Sequence, residues 1–299
     1  MRKYVQSTLI LLAIALFVGG YVYLRHGMGV HRVLARDGSG KQGDASEYYT
    51  TYYGRLPDVP VNGCRGIVLF YLSADGASLV PVPFFITAPD KSGALIAGKI
   101  LSGLPLMAMS EYLRPFHPGG GKLENISIKG DRVSMKVRLP GGVSMQNLSL
   151  LARSFLEAYS QVNPEVSRVL MDAGGGLVAE DDLLSPWPGR LTVRDPGPPR
   201  ILDAFLVADS EGESPRELRV IFDRPLDVTS FRVEGKEGEP ISGRLYLSEF
   251  SMAGIFRTAG PLGIDAGESF VLTFSVNDFR GRHSEVERSF IARVRLLGR

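Results

Sequence analysis

A run of seventeen residues without a charge, residues 8–24, constrains this chain more than any other feature of its sequence. In a helix that rises about 1.5 Å per residue, the run would extend roughly 25 Å, close to the thickness of a bilayer core. Arg2 and Lys3 precede it, as in a signal sequence or a signal anchor, and the large Tyr21 and Tyr23 stand where a cleavage site would need small residues. The run therefore predicts an uncleaved, single-pass membrane anchor, with a buried helix of a soluble protein as the alternative.

Residues 38–63, which follow this run, are polar and show no apolar period. Arg25, Arg32 and Arg36 balance the basic residues before the run, so the positive-inside rule leaves the orientation of the anchor open. We expect residues 1–26 to form a short tip and the anchor, and residues 27–63 to form a polar stalk. Four tyrosines in this stalk are expected to pack onto the first folded unit, and a partner or the bilayer surface is the alternative: Tyr48, Tyr49, Tyr52 and Tyr53.

Residues 64–188 contain the predicted strands and helices of a first folded unit. The apolar run 66–72 suits a buried strand, and two prolines place the next strand, 78–86, at the edge of a sheet. Helices are predicted over 90–101 and 146–162, with a β-hairpin between them and one more strand after the second helix. This ββαββαβ order predicts the α+β class, with a two-layer α/β sandwich whose helices cover one face of a small sheet.

The hairpin of the first unit carries the clearest charge pattern in the chain. Its second arm, residues 132–138, alternates strictly between apolar and polar residues, so one side is expected to be buried and the other to face solvent. The buried side would hold Val133, Met135 and Val137, and the solvent side would hold Arg132, Ser134, Lys136 and Arg138. The solvent side is therefore basic, and it either binds an acidic protein or polymer or is an ordinary hydrated surface.

A second folded unit follows a proline-rich linker, residues 189–199. Residues 200–299 contain short segments that alternate between apolar and polar residues, most clearly over 217–223, 269–276 and 287–295. About a hundred residues of such strands with turns between them predict an all-β sandwich.

The sequence shows no pattern typical of a catalytic or metal-binding site. The single cysteine, Cys64, excludes an internal disulfide and a cysteine-built zinc site. The Gly-Gly-Gly-Lys segment after His117 does not fit a phosphate-binding loop, because Phe116 and Leu123 stand where that pattern needs Gly and Ser or Thr. His117 itself is expected to be a solvated loop residue. We therefore predict a protein that is not an enzyme and has no cofactor or metal, and a net charge of +2 predicts no affinity for nucleic acid.

Several segments of the first unit together resemble the GerM domain of sporulation and spore germination proteins. They are FYLSADG and LVPV in the first two strands, LSGLP at the end of the first helix, ISIKG at the entry to the hairpin turn, and VLMD in the last strand. In the second unit, PPRI, VIFDRP and VNDFRG resemble bacterial Ig-like modules. The first resemblance covers about residues 64–188 and the second covers residues 200–299.

The GerM resemblance implies a membrane-anchored scaffold of the cell envelope that acts in spore formation or germination. Its folded units would lie outside the cytoplasm and bind envelope or sporulation proteins, or other copies of the chain. The candidate interaction surface comprises Phe155 on the second helix together with Arg132, Lys136 and Arg138. One alternative is an envelope enzyme or binder that acts on peptidoglycan or polysaccharide, which would need a carboxylate pair or an aromatic platform in a cleft, whereas the sole tryptophan, Trp187, lies in a proline-flanked linker. Another is a secreted adhesin, which requires cleavage of the N-terminal run.

Overall fold

Strands make up most of the regular structure of the chain. The computed structural model describes residues 43–57, 64–87, 92–102, 111–117, 119–248 and 250–296. Of these residues, 44% lie in strands and 16% in helices. The predicted α+β class is therefore wrong, because strand structure dominates both folded units.

Three α-helices, one 3₁₀-helix (Pro188–Arg190) and seventeen strands are present among the described residues. The helices are α1 (Glu47–Tyr53), α2 (Ser92–Ser102) and α3 (Met145–Ser160). The strands of the first unit are β1 (Asp44–Ala45), β2 (Arg65–Ser73), β3 (Ser78–Ile86), β4 (Leu113–Arg114), β5 (Lys122–Lys129), β6 (Arg132–Arg138), β7 (Arg168–Asp172), β8 (Val178–Asp182) and β9 (Thr192–Val193). Those of the second unit are β10 (Ile201–Ala208), β11 (Glu217–Phe222), β12 (Leu226–Glu234), β13 (Arg244–Leu247), β14 (Ala253–Arg257), β15 (Ser269–Asp278), β16 (His283–Ile291) and β17 (Val294–Leu296).

The predicted membrane anchor, residues 8–24, lies outside the described residues. The helices of the described part of the chain have 7, 11 and 16 residues, and none of them is long and apolar enough to cross a bilayer. This finding contradicts the predicted transmembrane element and the predicted single-pass membrane location.

The described end of the predicted stalk belongs to the first folded unit. The hydroxyl of Ser46 accepts a hydrogen bond from the backbone N–H of Tyr49 and so caps the N-terminus of α1. Tyr49 and Tyr53 are buried on the side of α1 that packs against Val68 and Phe70. The expected packing of these tyrosines is thus observed, and residues 43–57 are not a stalk.

In the first unit, α3 lies between two sheets. One sheet has the strand order β1-β2-β3-β9, with β4 paired to β2, and the other has the order β5-β6-β7-β8. The Ser154 hydroxyl donates to the Phe70 carbonyl of β2, while the opposite side of α3 packs against β7 and β8. Helix α3 is buried on nearly all sides because apolar residues such as Leu150 and Leu156 supplement its predicted apolar stripe. The prediction of a single small sheet in this unit is therefore wrong, because two sheets are present.

The second unit consists of two sheets that enclose a separate apolar core. Their strand orders are β13-β14-β11-β10-β17 and β12-β15-β16. Phe222 from the first sheet and Phe274 from the second meet in the core with ring centroids 6.4 Å apart. Burial alternates along β11 and β15, the strands that carry these two residues, and these strands match segments that the sequence predicts to be strands.

Candidate functional site

The hairpin formed by β5 and β6 positions the predicted basic residues. Gly130 has a φ of 61° at the first position of the two-residue turn, a backbone conformation that glycine adopts without steric cost. The register places Lys129 opposite Arg132 and Ser127 opposite Ser134. Since β6 also pairs with β7 on its other side, the hairpin is held at one end of a four-stranded sheet with β5 as the edge strand.

The basic side chains of β6 lie on the solvent face of this sheet and pair with carboxylates there. The carboxylate of Glu124 forms ion pairs with Arg138 at 2.5 Å and with Lys136 at 3.6 Å. Arg132 pairs with Glu180 of β8 at 2.8 Å. The hydrogen bond from Arg138 lowers the pKa of Glu124 below its ordinary value. Thus Arg132, Lys136 and Arg138 share one face.

Charge is distributed unevenly across this solvent face. Residues 122–138, which span β5 and β6, contain five basic and two acidic side chains, for a net charge of +3. Strand β8 instead presents Glu180 and Asp182 on this face, whereas Asp181 points to the core side and pairs with Arg153 at 3.4 Å. The hairpin side of the face is therefore net basic and the β8 side is net acidic, and charged surfaces of this kind determine which partners can approach.

Phe155 does not belong to this surface. Its side chain is only 1% exposed, and its ring stacks on Tyr159 with centroids 5.4 Å apart. A ring at this depth cannot contact a partner without unfolding the core, so the prediction of Phe155 as an interaction residue is wrong. The helical periodicity that suggested it reports burial, and the burial here is against the protein's own sheets.

The structure also adds an apolar groove that the sequence analysis did not identify. Its volume is about 480 Å³, and it runs between the edge strand β5 and the first turns of α2. Its lining includes Ile126, Ile128, Leu95 and Tyr159. Ile128 is 45% exposed and Leu95 is 40% exposed, which is unusual for large apolar side chains in adjacent positions.

His117 and Cys64 are both buried. The Nε2 atom of His117 lies 3.0 Å from the carbonyl oxygen of Pro140, so the expectation of a solvated loop histidine is wrong. Burial raises the pKa of the Cys64 thiol above its ordinary value. Across the described ranges, no group of three or more His, Cys, Asp or Glu side chains is arranged to hold a metal ion.

Trp187 packs into an aromatic cluster around the buried ring of Phe70. Tyr48, Tyr52 and Trp187 each approach Phe70 edge-on, at centroid distances of 5.6, 6.4 and 5.8 Å. The guanidinium of Arg153 lies 5.6 Å from the centroid of the Trp187 ring. Burial, followed by the charge of the nearby carboxylate Glu157, raises the pKa of Tyr48 to about 12. These edge-on contacts fix the rings against the first unit.

A buried charge cluster holds the linker against the second unit. The side chain of Arg224 is 1% exposed and donates to both carboxylate oxygens of Asp223, at 3.1 and 2.7 Å, and to Asp278 at 3.3 Å. It also donates to the backbone carbonyls of linker residues 196–198, at distances from 2.8 to 3.4 Å. Burial alone would lower the pKa of Arg224, but its pairing with Asp223 outweighs burial and raises that pKa.

The same cluster extends to α1 of the first unit. Arg282 donates to Asp278 at 2.6 Å, to Asp195 of the linker at 2.9 Å and to the backbone carbonyl of Tyr52 at 2.5 Å. The guanidinium of Arg224 lies 5.6 Å from the centroid of the Tyr53 ring. These contacts join both units and the linker in one polar network.

No family model and no curated protein matches the chain. Among solved structures, CopC from Methylosinus trichosporium OB3b is 13% identical with a TM-score of 0.23, and the match covers 32% of this chain and 94% of CopC. PcoC, a methionine-rich copper resistance protein from Escherichia coli, is 10% identical with a TM-score of 0.25, over 32% of this chain and 100% of PcoC. At TM-scores this low, the likeness carries no argument about this chain.

Proposed function

We propose that this chain is a non-enzymatic docking protein that binds other proteins through the solvent face of the β5–β8 sheet. The resemblance of residues 64–188 to the GerM domain suggests spore formation or germination as the process in which it acts. Within that process it serves as a scaffold, and its partners are sporulation proteins or further copies of the chain.

One observation carries this proposal. The β5–β8 sheet packs α3 and the core against one face, whereas no layer of the described residues covers its other face. That uncovered face presents charged side chains from all four strands and is net basic on the β5–β6 hairpin and net acidic on β8, with ion pairs such as Arg132–Glu180 and Arg168–Asp131 between strands. A broad, rigid surface with separated charges favours recognition of a protein of complementary charge.

The experiment is a double charge reversal in the full chain, Lys136→Glu with Arg138→Glu, followed by quantitative crosslinking in sporulating cells. Because reversal places like charges opposite the partner, we expect the yield of specific crosslinks to fall by about tenfold or more. Circular dichroism of the purified variant checks that the fold is retained.

The second unit offers a matched control for this experiment. Arg293 and Arg295 share Asp203 on its surface, much as Lys136 and Arg138 share Glu124 on the sheet face. Arg293→Glu with Arg295→Glu should leave the crosslinks at the level of the unmodified chain. Equal crosslinking by the sheet-face variant and the control would refute docking through this face.

A further inference from the structure

We propose that the free edge of β5 is a strand-docking site that takes an extended, acidic segment of a partner protein with apolar residues at alternate positions. This inference deepens the docking function proposed above and rests on it. It assigns the partner segment a chemistry and a position at the edge of the sheet.

The backbone of β5 has hydrogen-bonding groups that point away from the sheet. The N–H of Arg168 donates to the carbonyl of Asp131, so the odd-numbered residues of β6 face β7 and the even-numbered ones face β5. Through the observed register, the odd-numbered residues from 125 to 129 bond to β6. The N–H and C=O groups of Ile126 and Ile128 therefore point outwards, where no strand of the described residues pairs with them.

The side chains of these two residues face the apolar groove. Ile128 lies opposite the fully buried Val133, yet Ile128 itself is half-exposed in the groove between the edge strand β5 and α2. The nearby exposed positions of α2 include Ala94, Leu95 and Gly98, none of which carries a charge. Outward main-chain groups beside apolar pockets are the two features that strand addition requires.

At the opposite edge of the same sheet, side chains bond to the outward backbone groups at the end of β8. The N–H of Asp182 in β8 donates to the carboxylate of Asp181 at 2.8 Å, and the carbonyl of Asp182 accepts from Arg153 at 2.6 Å. Proteins commonly block edge strands in such ways to prevent unwanted pairing. The backbone at the end of β8 is thus satisfied internally, whereas that of Ile126 and Ile128 has no such partner among the described residues.

Charge selects an acidic segment over a second copy of the chain. Lys122 and Lys129 lie at the two ends of β5, and the neighbouring strand adds Arg132, Lys136 and Arg138. Pairing of β5 with the β5 of another copy would bring two strongly basic hairpins together, which is unfavourable. A strand with carboxylates on its solvent side and apolar residues on the other side would complement both the basic face and the groove.

The test measures binding of a labelled, end-capped octapeptide of alternating valine and glutamate to the full chain by fluorescence anisotropy. The comparison peptide alternates valine and lysine. We expect saturable binding of the glutamate peptide and at least about tenfold weaker binding of the lysine peptide. Equal binding of the two peptides, or binding of neither, would overturn the proposal.

A pair of lysine substitutions separates groove binding from general attraction between charges. Leu95→Lys places a cation in the groove, whereas Leu184→Lys places one on a loop residue that is 95% exposed. Simple electrostatic attraction predicts that both variants bind the acidic peptide more tightly. A groove that seats valine side chains predicts that Leu95→Lys weakens binding several-fold while Leu184→Lys does not, and the opposite order would refute it.

Amide hydrogen exchange by NMR locates the peptide on the strand. We expect the peptide to slow exchange of the Ile126 and Ile128 amides by about tenfold or more, because these N–H groups acquire acceptors. The amide of Ser127, which faces β6, should change little. Unchanged exchange at Ile126 and Ile128 would exclude strand addition, and concentration-dependent protection without peptide would identify a second copy as the occupant and overturn the acidic partner.

These outcomes are distinct from failure of the docking function itself. If charge reversal at Lys136 and Arg138 abolishes the cellular crosslinks but the peptide does not protect β5, the docking function is supported and the strand-docking site is refuted. If the charge reversal leaves the cellular crosslinks unchanged while the peptide still binds at β5, docking through the sheet face is refuted instead.

Discussion

Replacing Arg224 with methionine should be the most damaging single change in the second unit. Its guanidinium compensates the buried carboxylates of Asp223 and Asp278 and donates to three backbone carbonyls of the linker, at 196–198. Methionine fills similar space but leaves the buried carboxylate of Asp223 without its cation, and Asp278 retains Arg282 as its cation. Removing one partner of a buried ion pair typically costs about 3–5 kcal/mol, so we expect a loss of that size in the free energy of unfolding.

Urea denaturation monitored by circular dichroism measures this loss, and Arg293→Met is the control. Arg293 pairs with Asp203 at the surface, and exposed pairs contribute about 1 kcal/mol or less. A protease should also cleave the Arg224 variant faster within the linker, because the carbonyls of residues 196–198 lose the hydrogen bonds that the Arg224 guanidinium donates. A loss below about 1 kcal/mol, equal to that of the control, would refute the assignment of Arg224 as the residue that holds the linker.

Two further predictions concern the junction and the response to pH. Gly54→Ala should lower the free energy of unfolding by about 1–3 kcal/mol, because Gly54 has a φ of 77° and a Cβ would lie 2.3 Å from the Phe279 carbonyl oxygen. The control Gly142→Ala, at a similar φ in open space, should lower it less. Equal melting temperatures of the two variants would contradict this prediction. Burial would raise the pKa of Glu217, but Arg219 and Arg257 together outweigh burial and the pKa is lowered. The resulting stability is present above the ordinary pKa and lost as pH falls, so Glu217→Gln should flatten the decline in Tm between about pH 5 and 3; an unchanged slope would contradict this.

Patterns that depend on neighbouring residues were predicted well from the sequence. The alternation over 132–138 placed Val133, Met135 and Val137 inside, and all three are buried. The helix predicted over 146–162 is observed over 145–160. Both predictions succeed because side-chain direction repeats with a period that the backbone geometry of a strand or a helix imposes locally.

Predictions that depended on what packs against an element were less reliable. The periodicity of α3 correctly places Phe155 on the apolar face of the helix. It could not show that a second sheet also covers the helix, so that Phe155 is not at the surface. His117 lies in a glycine-rich segment that suggests a solvated loop, yet it is buried against Pro140. The polar composition of 43–57 suggested a stalk, although the tyrosines within it supply enough apolar surface to fold onto the first unit.

The sequence alone determined the local content of the docking surface: an alternating strand, a glycine turn and an excess of basic residues over 122–138. Only the tertiary structure decided which parts of it are accessible. Ile128 and Val133 are both apolar, lie opposite each other and point to the same side of the sheet, yet Val133 is buried and Ile128 is half-exposed. The difference arises because Val133 lies on an inner strand and belongs to the main core, whereas Ile128 lies on the edge strand and lines the open groove beside α2. Burial therefore depends on elements that are distant in the chain.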